Sequence, residues 1–277
     1  MRRAITVLMA ITITLSAYGQ LNTIFSKKDD LTSFSSKTTK VVLSDGASIV
    51  DMILRDAVKE NWTISPFEFA TLDEFEEIKC DTNYFFLVKV TDMVDSQDDS
   101  AMEFLTLYKG ADGGAKFEKN LPEILSLPIQ SKDDQSGKIF AFLPSFIKIV
   151  QNHVEKVIEK RHSAYIGLSA YTDGTDGAKD KELLFCKEDF GFDITQEMLD
   201  EDFNGKAKLV TQEEIEDALA SKRAGTLVSL VVTSSSAPIG SECYKMMIST
   251  DTQELYMYRR HKITTKKRGG FTKEDYK

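Results

Sequence analysis

Thr71-Leu72-Asp73-Glu74-Phe75 and Thr211-Gln212-Glu213-Glu214-Ile215 stand 140 residues apart and carry the same signal. In each, a threonine precedes a glutamate by three positions. The hydroxyl then accepts from the glutamate's backbone N–H while the carboxylate accepts from the threonine's own N–H, which starts a helix. The flanks agree as well. Lys40-Val41-Val42-Leu43 aligns with Lys181-Glu182-Leu183-Leu184 at an offset of 141, and Leu87-Val88-Lys89-Val90-Thr91 aligns with Leu230-Val231-Val232-Thr233 near 142. Residues 103–108 align with 243–248 at about 140. Four pairs in one order at nearly constant spacing predict an internal duplication. On this reading 38–109 superposes on 179–250, with Thr71 on Thr211 and Leu87 near Ser229 or Leu230.

Each copy reads locally as strands and helices. In the first, 41–43 is a short strand, and Ser44 or Asp45 is placed to cap a helix whose Ile49, Val50, Ile53, Leu54, Ala57 and Val58 recur at helical spacing. Residues 62–69 read as extended, with Pro66 restricting them to an edge. Residues 84–90 are a buried strand, and 101–109 pair back on it through the acidic turn at 95–100, closed by Gly110 and Gly113-Gly114. In the second, 183–186 is the strand, and Asp193 with Gln196 caps a helix carrying Ile194, Met198, Leu199 and Phe203. Residues 207–210 are extended and 227–233 form the buried strand, while 243–249 and 255–262 make a hairpin. The expected class is α/β (or α+β), with duplicated β-α-β-α-β-β modules in mixed sheets.

Between the copies, Phe146, Ile147, Val150, Val154, Val157 and Ile158 form the longest amphipathic helix, with Pro144 near its start. The stripe suits a spine between the copies or a lid on the first sheet, and also a dimer seam. The domain plan is thus a leader at 1–19, an N-terminal segment at 20–37, modules at 38–162 and 163–265, and a basic tail at 266–277.

Arg2-Arg3, the apolar run at 4–17 and the small residues Ala17 and Gly19 have the layout of a secretory signal peptide, with an apolar core short for a membrane span. No cysteine follows the cut, so the exported chain is periplasmic or extracellular and not lipid-anchored. The formal charge is −9 in full and −11 without the leader, which argues against nucleic acid as a partner. Residues 259–277 alone carry +6, from eight basic groups against Glu274 and Asp275. Gly269-Gly270 suggests a frayed tail, dispensable after Thr264; the alternative is a weak electrostatic contact with anionic surfaces. Cys80, Cys186 and Cys243 show no paired spacing and sit in or beside apolar stretches, as packing residues do.

The sequence assigns no catalytic, cofactor-binding or metal-binding residue. His153, His162 and His261 lack the spacing of a zinc helix, and His153 falls on the apolar side of the long helix as a satisfied packing residue. Gly167-Leu168-Ser169-Ala170-Tyr171 lacks the second glycine of a nucleophile elbow. The Gly/Asp run at 173–177 misses the alternating spacing of a calcium loop, and Asp45-Gly46 suits a helix cap better than an anion site.

The order of strand, helix, extended segment, Thr-x-x-Glu helix and buried strand resembles the small α/β domains of bacterial envelope proteins. It is similar to the N-terminal domain of the Tol-system β-propeller protein and to the curli-secretion-channel-like lipoproteins. Asp81-Thr82-Asn83-Tyr84-Phe85-Phe86-Leu87 and Trp62-Thr63-Ile64-Ser65-Pro66 also resemble secreted proteins of no assigned activity. The resemblance implies a noncatalytic binding or assembly module of the cell envelope, with an envelope protein or extracellular ligand as partner and no cofactor. The alternatives are an extracellular polymer hydrolase using paired carboxylates, whose separation a sequence does not give, and a small-ligand binding protein.

Overall fold

The apolar runs become ten strands in two five-stranded sheets, seen in a computed structural model that describes residues 31–44, 48–91, 101–111, 121–160, 167–172 and 178–275. The leader, Asp45-Gly46, the acidic turn at 95–100, Gly113-Gly114, His162 and the Gly/Asp run at 173–177 lie outside the described residues. The first sheet holds β1 (Thr38–Leu43), β2 (Phe67–Thr71), β3 (Tyr84–Thr91), β4 (Met102–Lys109) and β5 (Glu123–Ser131), in the order β2-β1-β3-β4-β5. The second holds β6 (Glu182–Cys186), β7 (Ala207–Val210), β8 (Thr226–Val232), β9 (Glu242–Ser249) and β10 (Leu255–Lys262), in the order β10-β9-β8-β6-β7. In both, three parallel strands continue into an antiparallel meander. Helices α1 (Ile49–Asn61) and α2 (Leu72–Ile78) make the crossovers of the first sheet, and α4 (Gln196–Phe203) and α5 (Gln212–Ala220) those of the second. Between the sheets runs α3 (Ile139–Glu159).

The duplication is therefore one of topology and register. The row Phe67–Thr39–Phe85–Lys109 across the first sheet has its counterpart in Ala207–Leu183–Leu227–Ser249 across the second, each residue 140 to 144 positions further on. Both Thr-x-x-Glu pairs form complete capping boxes, and Leu87 falls opposite Ser229 in this scheme. The first strand is shifted: Thr39 matches Leu183 at 144, not 141, and an odd offset would have turned every side chain to the wrong face. Each copy also continues beyond the four-strand plan. The fifth strand of the first copy, β5, carries Pro128, tolerated because β5 lies at a sheet edge.

Right-handed crossovers that move in opposite directions across a sheet place their helices on opposite faces. In the first sheet α1 covers Val41, Phe85 and Leu87, and α2 covers Val42, Phe86 and Val88. In the second, α4 covers Leu183, Phe185 and Leu227, while α5 lies over Leu184, Val228 and Leu230. The large core joins the α1 face of the first sheet to the α5 face of the second. The copies therefore stack front to back through nonequivalent faces, as a heterologous contact does. The space between them is filled: α3 packs against α1, β5 and α5, with Phe142, Phe146, Ile147, Val150 and Val154 wholly buried. Burial of Ile139, Phe142, Ser145, Gln151 and Val157 on several sides makes α3 a spine, not a lid or a dimer seam. Across the junction, Lys138 Nζ donates to Val231 O at 2.9 Å and Asp133 Oδ2 accepts from Ser234 Oγ and Ser235 N, both at 3.0 Å.

Several local expectations are corrected. The cap of α1 is Ser48, whose hydroxyl accepts from Asp51 N, and Ser44 instead donates to the Asp51 carboxylate at 2.6 Å. Thr195 caps α4; the Gln196 side chain reaches over to Ala207 O and Leu209 N and ties the helix to β7. Helix α3 begins at Ile139, so Pro144 lies inside it, and the burial of Ile139, Phe142 and Leu143 offsets the missing N–H. All three cysteines are free, but only Cys186 and Cys243 are buried, and Cys80 is exposed.

Candidate functional site

The segment after β10, expected to fray, is instead part of the second module. Asp189 O accepts from Phe271 N at 2.6 Å, and Phe271 O accepts from Gly191 N at 3.0 Å. Gly270 makes this crossing possible. Its φ is +117°, and a Cβ there would stand 2.6 Å from Gly191 N. Phe271 is 1% exposed and packs edge-on to Phe185 and tilted against Phe190. Beyond it, Asp275 accepts from Lys245 Nζ at 2.7 and 2.8 Å and from Thr272 N and Oγ1 at 2.6 and 2.8 Å. Lys245 is 2% exposed and Asp275 4%, so this is a buried ion pair. Burial alone would raise the Asp275 pKa, but the Lys245 and Thr272 hydrogen bonds outweigh it and hold the carboxylate below its ordinary value.

In chain order the tail follows β10 as α3 follows β5, and it lies on the equivalent face. The two do not fill equal space. On the first sheet, 13-residue α1 and 21-residue α3 pack directly on one another. On the second, the 8-residue α4 and an irregular strap take their places. Between them remains a hollow of about 450 Å³ over the sheet face. Its floor is Leu183, Leu227, Met247 and Met257, and Phe203 and Phe271 stand at its walls. Lys179, Lys181 and Lys206 also line it, together with Asp202 and Asp275. Such a volume and apolar floor fall in the range of small-molecule sites.

Other groups of chemical interest lie elsewhere. His153 is fully buried and neither ring nitrogen has a partner among the described residues, so it is a packing residue but not a satisfied one. Its ring centroid is 6.1 Å from that of Tyr171, and burial, with the nearby Lys156 charge, lowers its pKa to about 4. His261 sits on β10 with Nε2 2.9 Å from Arg268 O. Gly167–Tyr171 forms a 3₁₀ turn that buries Leu168 and Tyr171. Glu123, at the start of β5, is raised to about 7 by burial. Asp189 is also raised by burial, against a 2.5 Å hydrogen bond donated by Ser229 Oγ. Glu123 is in the first copy and Asp189, in the 3₁₀ turn after β6, in the second, and neither borders the hollow. The thiols of Cys186 and Cys243 are pushed up by burial to about 12 and about 11, away from nucleophilic character. Among the described residues no three or more His, Cys, Asp or Glu side chains are grouped to hold a metal.

Sequence reasoning missed the hollow and the strap that borders it. One signal was present: Lys245 interrupts Cys243-Tyr244-Lys245-Met246-Met247, where its counterpart Leu105 keeps the first sheet apolar. A buried lysine needs a carboxylate, and Asp275 supplies it from a stretch that charge alone marks as loose. Comparison with protein-family models, with curated proteins and with solved structures finds no match.

Proposed function

We propose that this chain is an exported, noncatalytic binding module of the bacterial cell envelope, and that its ligand sits in the hollow on the second sheet. The observation that carries the reading is a preformed apolar space bordered by a strap that a buried ion pair ties down. An apolar body entering this space would leave water and lie over the sheet face. The export half rests on the leader pattern at 1–19 and the envelope half on the resemblance in element order. The hydrolase alternative asks for two carboxylates across a cleft; among the described residues the carboxylates on the hollow are Asp202 and Asp275, and Asp275 is neutralised by Lys245.

The test uses a neutral apolar dye, N-phenyl-1-naphthylamine, whose fluorescence rises on leaving water. The native chain is expected to bind it saturably, and Leu227→Trp or Met247→Trp, which fill the floor, to abolish the signal. Equal binding by both filled variants would move the site elsewhere.

A further inference from the structure

The side chains under the hollow differ in kind from their equivalents in the first sheet. There one row across the strands is Val41–Leu87–Leu107–Leu125, aliphatic throughout. The same positions of the second sheet hold Phe185, Ser229, Met247 and Met257. In the neighbouring row Leu227 stands where the first sheet has Phe85, so a ring is removed from the floor. Rings gather at the border instead. Phe185 lies 5.7 Å from Phe203 and 5.4 Å, edge-on, from Phe271, and all three line the hollow. The lysines of the rim do not select a charge. Lys181 interacts with Asp251 and lies 5.6 Å from the centre of the Tyr256 ring, while Lys206 stands 4.0 Å from Asp180. Lys179 is engaged as well, and Asp275 is matched by Lys245.

We infer that the ligand is a small neutral aromatic molecule, its ring set against Phe203, Phe185 and Phe271 and over Met247 and Met257. This rests on the hollow being the binding site, and adds the chemical class of its occupant. A saturated ligand would gain from leaving water, which any apolar floor supplies. An aromatic one gains that and two further attractions. Its edge, slightly positive, meets the negative face of a neighbouring ring, and the polarizable thioethers contact it favourably. The unbranched methionine stems also adapt to the outline of the occupant. The aliphatic row of the first sheet offers neither attraction.

The experiment is displacement of bound N-phenyl-1-naphthylamine by 3-phenyl-1-propanol and by 3-cyclohexyl-1-propanol, neutral alcohols of one carbon skeleton. The cyclohexyl alcohol is the more apolar, so burial alone would make it the better competitor. The phenyl alcohol is expected to compete about fivefold better, the effect of one or two ring or thioether contacts. Two variants locate the source. Phe203→Leu shortens the series of rings, and Met247→Leu/Met257→Leu removes both sulfurs at nearly constant volume. Each should narrow the preference. A preference unchanged in both variants would overturn the aromatic class and leave the apolar site standing. So would equal or better competition by the cyclohexyl alcohol, with the dye still displaced. Absence of dye binding in the native chain would remove both.

Discussion

Substituting Asp275 by alanine probes the strap with one atom group. The variant leaves the Lys245 ammonium, 2% exposed, without its counter-charge. Two responses are open to the molecule. If the strap stays docked, the buried unpaired charge costs about 3–5 kcal/mol. If the strap lets go, water reaches Lys245, but the burial of Phe271 is lost, at about 1.5–3 kcal/mol for a large apolar side chain, and the floor of the hollow is laid open. The protein takes the cheaper route, so the expected loss is about 3 kcal/mol. With an m-value of about 3 kcal/mol/M in urea for a chain of this size, the unfolding midpoint falls by about 1 M. Adding Lys245→Met to Asp275→Ala should recover most of the loss, because an apolar side chain fits where the first sheet holds Leu105, and replacing a buried pair by apolar groups is often near neutral. Truncation after Thr264 removes Phe271 and Asp275 together and should destabilise at least as much as Asp275→Ala. An unchanged midpoint for Asp275→Ala would mean that the strap is loose in solution and the reasoning is wrong.

Two pH dependences should cancel in the native chain and separate in variants. His153, with its pKa lowered to about 4 from an ordinary 6.5, contributes stability that is full above 6.5 and lost as pH falls through 4, about 3 kcal/mol in all. Glu123, raised to about 7 from 4.5, contributes stability present below 4.5 and lost as pH rises through 7, a change of similar size. Between pH 4.5 and 6.5 urea titrations of His153→Leu should therefore show stability falling with rising pH, and those of Glu123→Gln the reverse; parallel curves for the two variants would exclude these assignments. Thr71→Ala and Thr211→Ala should each cost about 1 kcal/mol, since each hydroxyl accepts from the N–H of its glutamate in a complete capping box. A far larger loss at only one site, measured by thermal unfolding, would mean that the two boxes are not equivalent.

Local signals were enough for the repeat and most of its elements. Thr71 with Glu74 and Thr211 with Glu214 fix helix starts by contacts three residues apart, so they are readable without knowing what surrounds them. The buried strands β3 and β8 are equally plain, since each is apolar on both faces, and the hairpin of β9 and β10 follows from its turn. Where signals competed, sequence reading went astray: Ser44 and Ser48 both precede α1, and only the path of the chain selects Ser48.

What sequence alone determined about this protein is two copies of one α/β plan, an acidic body with a basic end, and a long apolar helix between the copies. What only the tertiary structure decided is which faces meet, where space is left, and whether the end is held. The front-to-back stacking depends on the direction of crossovers between strands far apart in the chain. The hollow depends on a difference in volume between α1 with α3 and α4 with the strap. Asp275 is fixed by Lys245, thirty positions away, and composition marks the stretch around it only as charged. Local hydrogen bonds and periodicity are written in neighbouring residues, whereas packing volume and the pairing of buried charges arise only when distant segments come together.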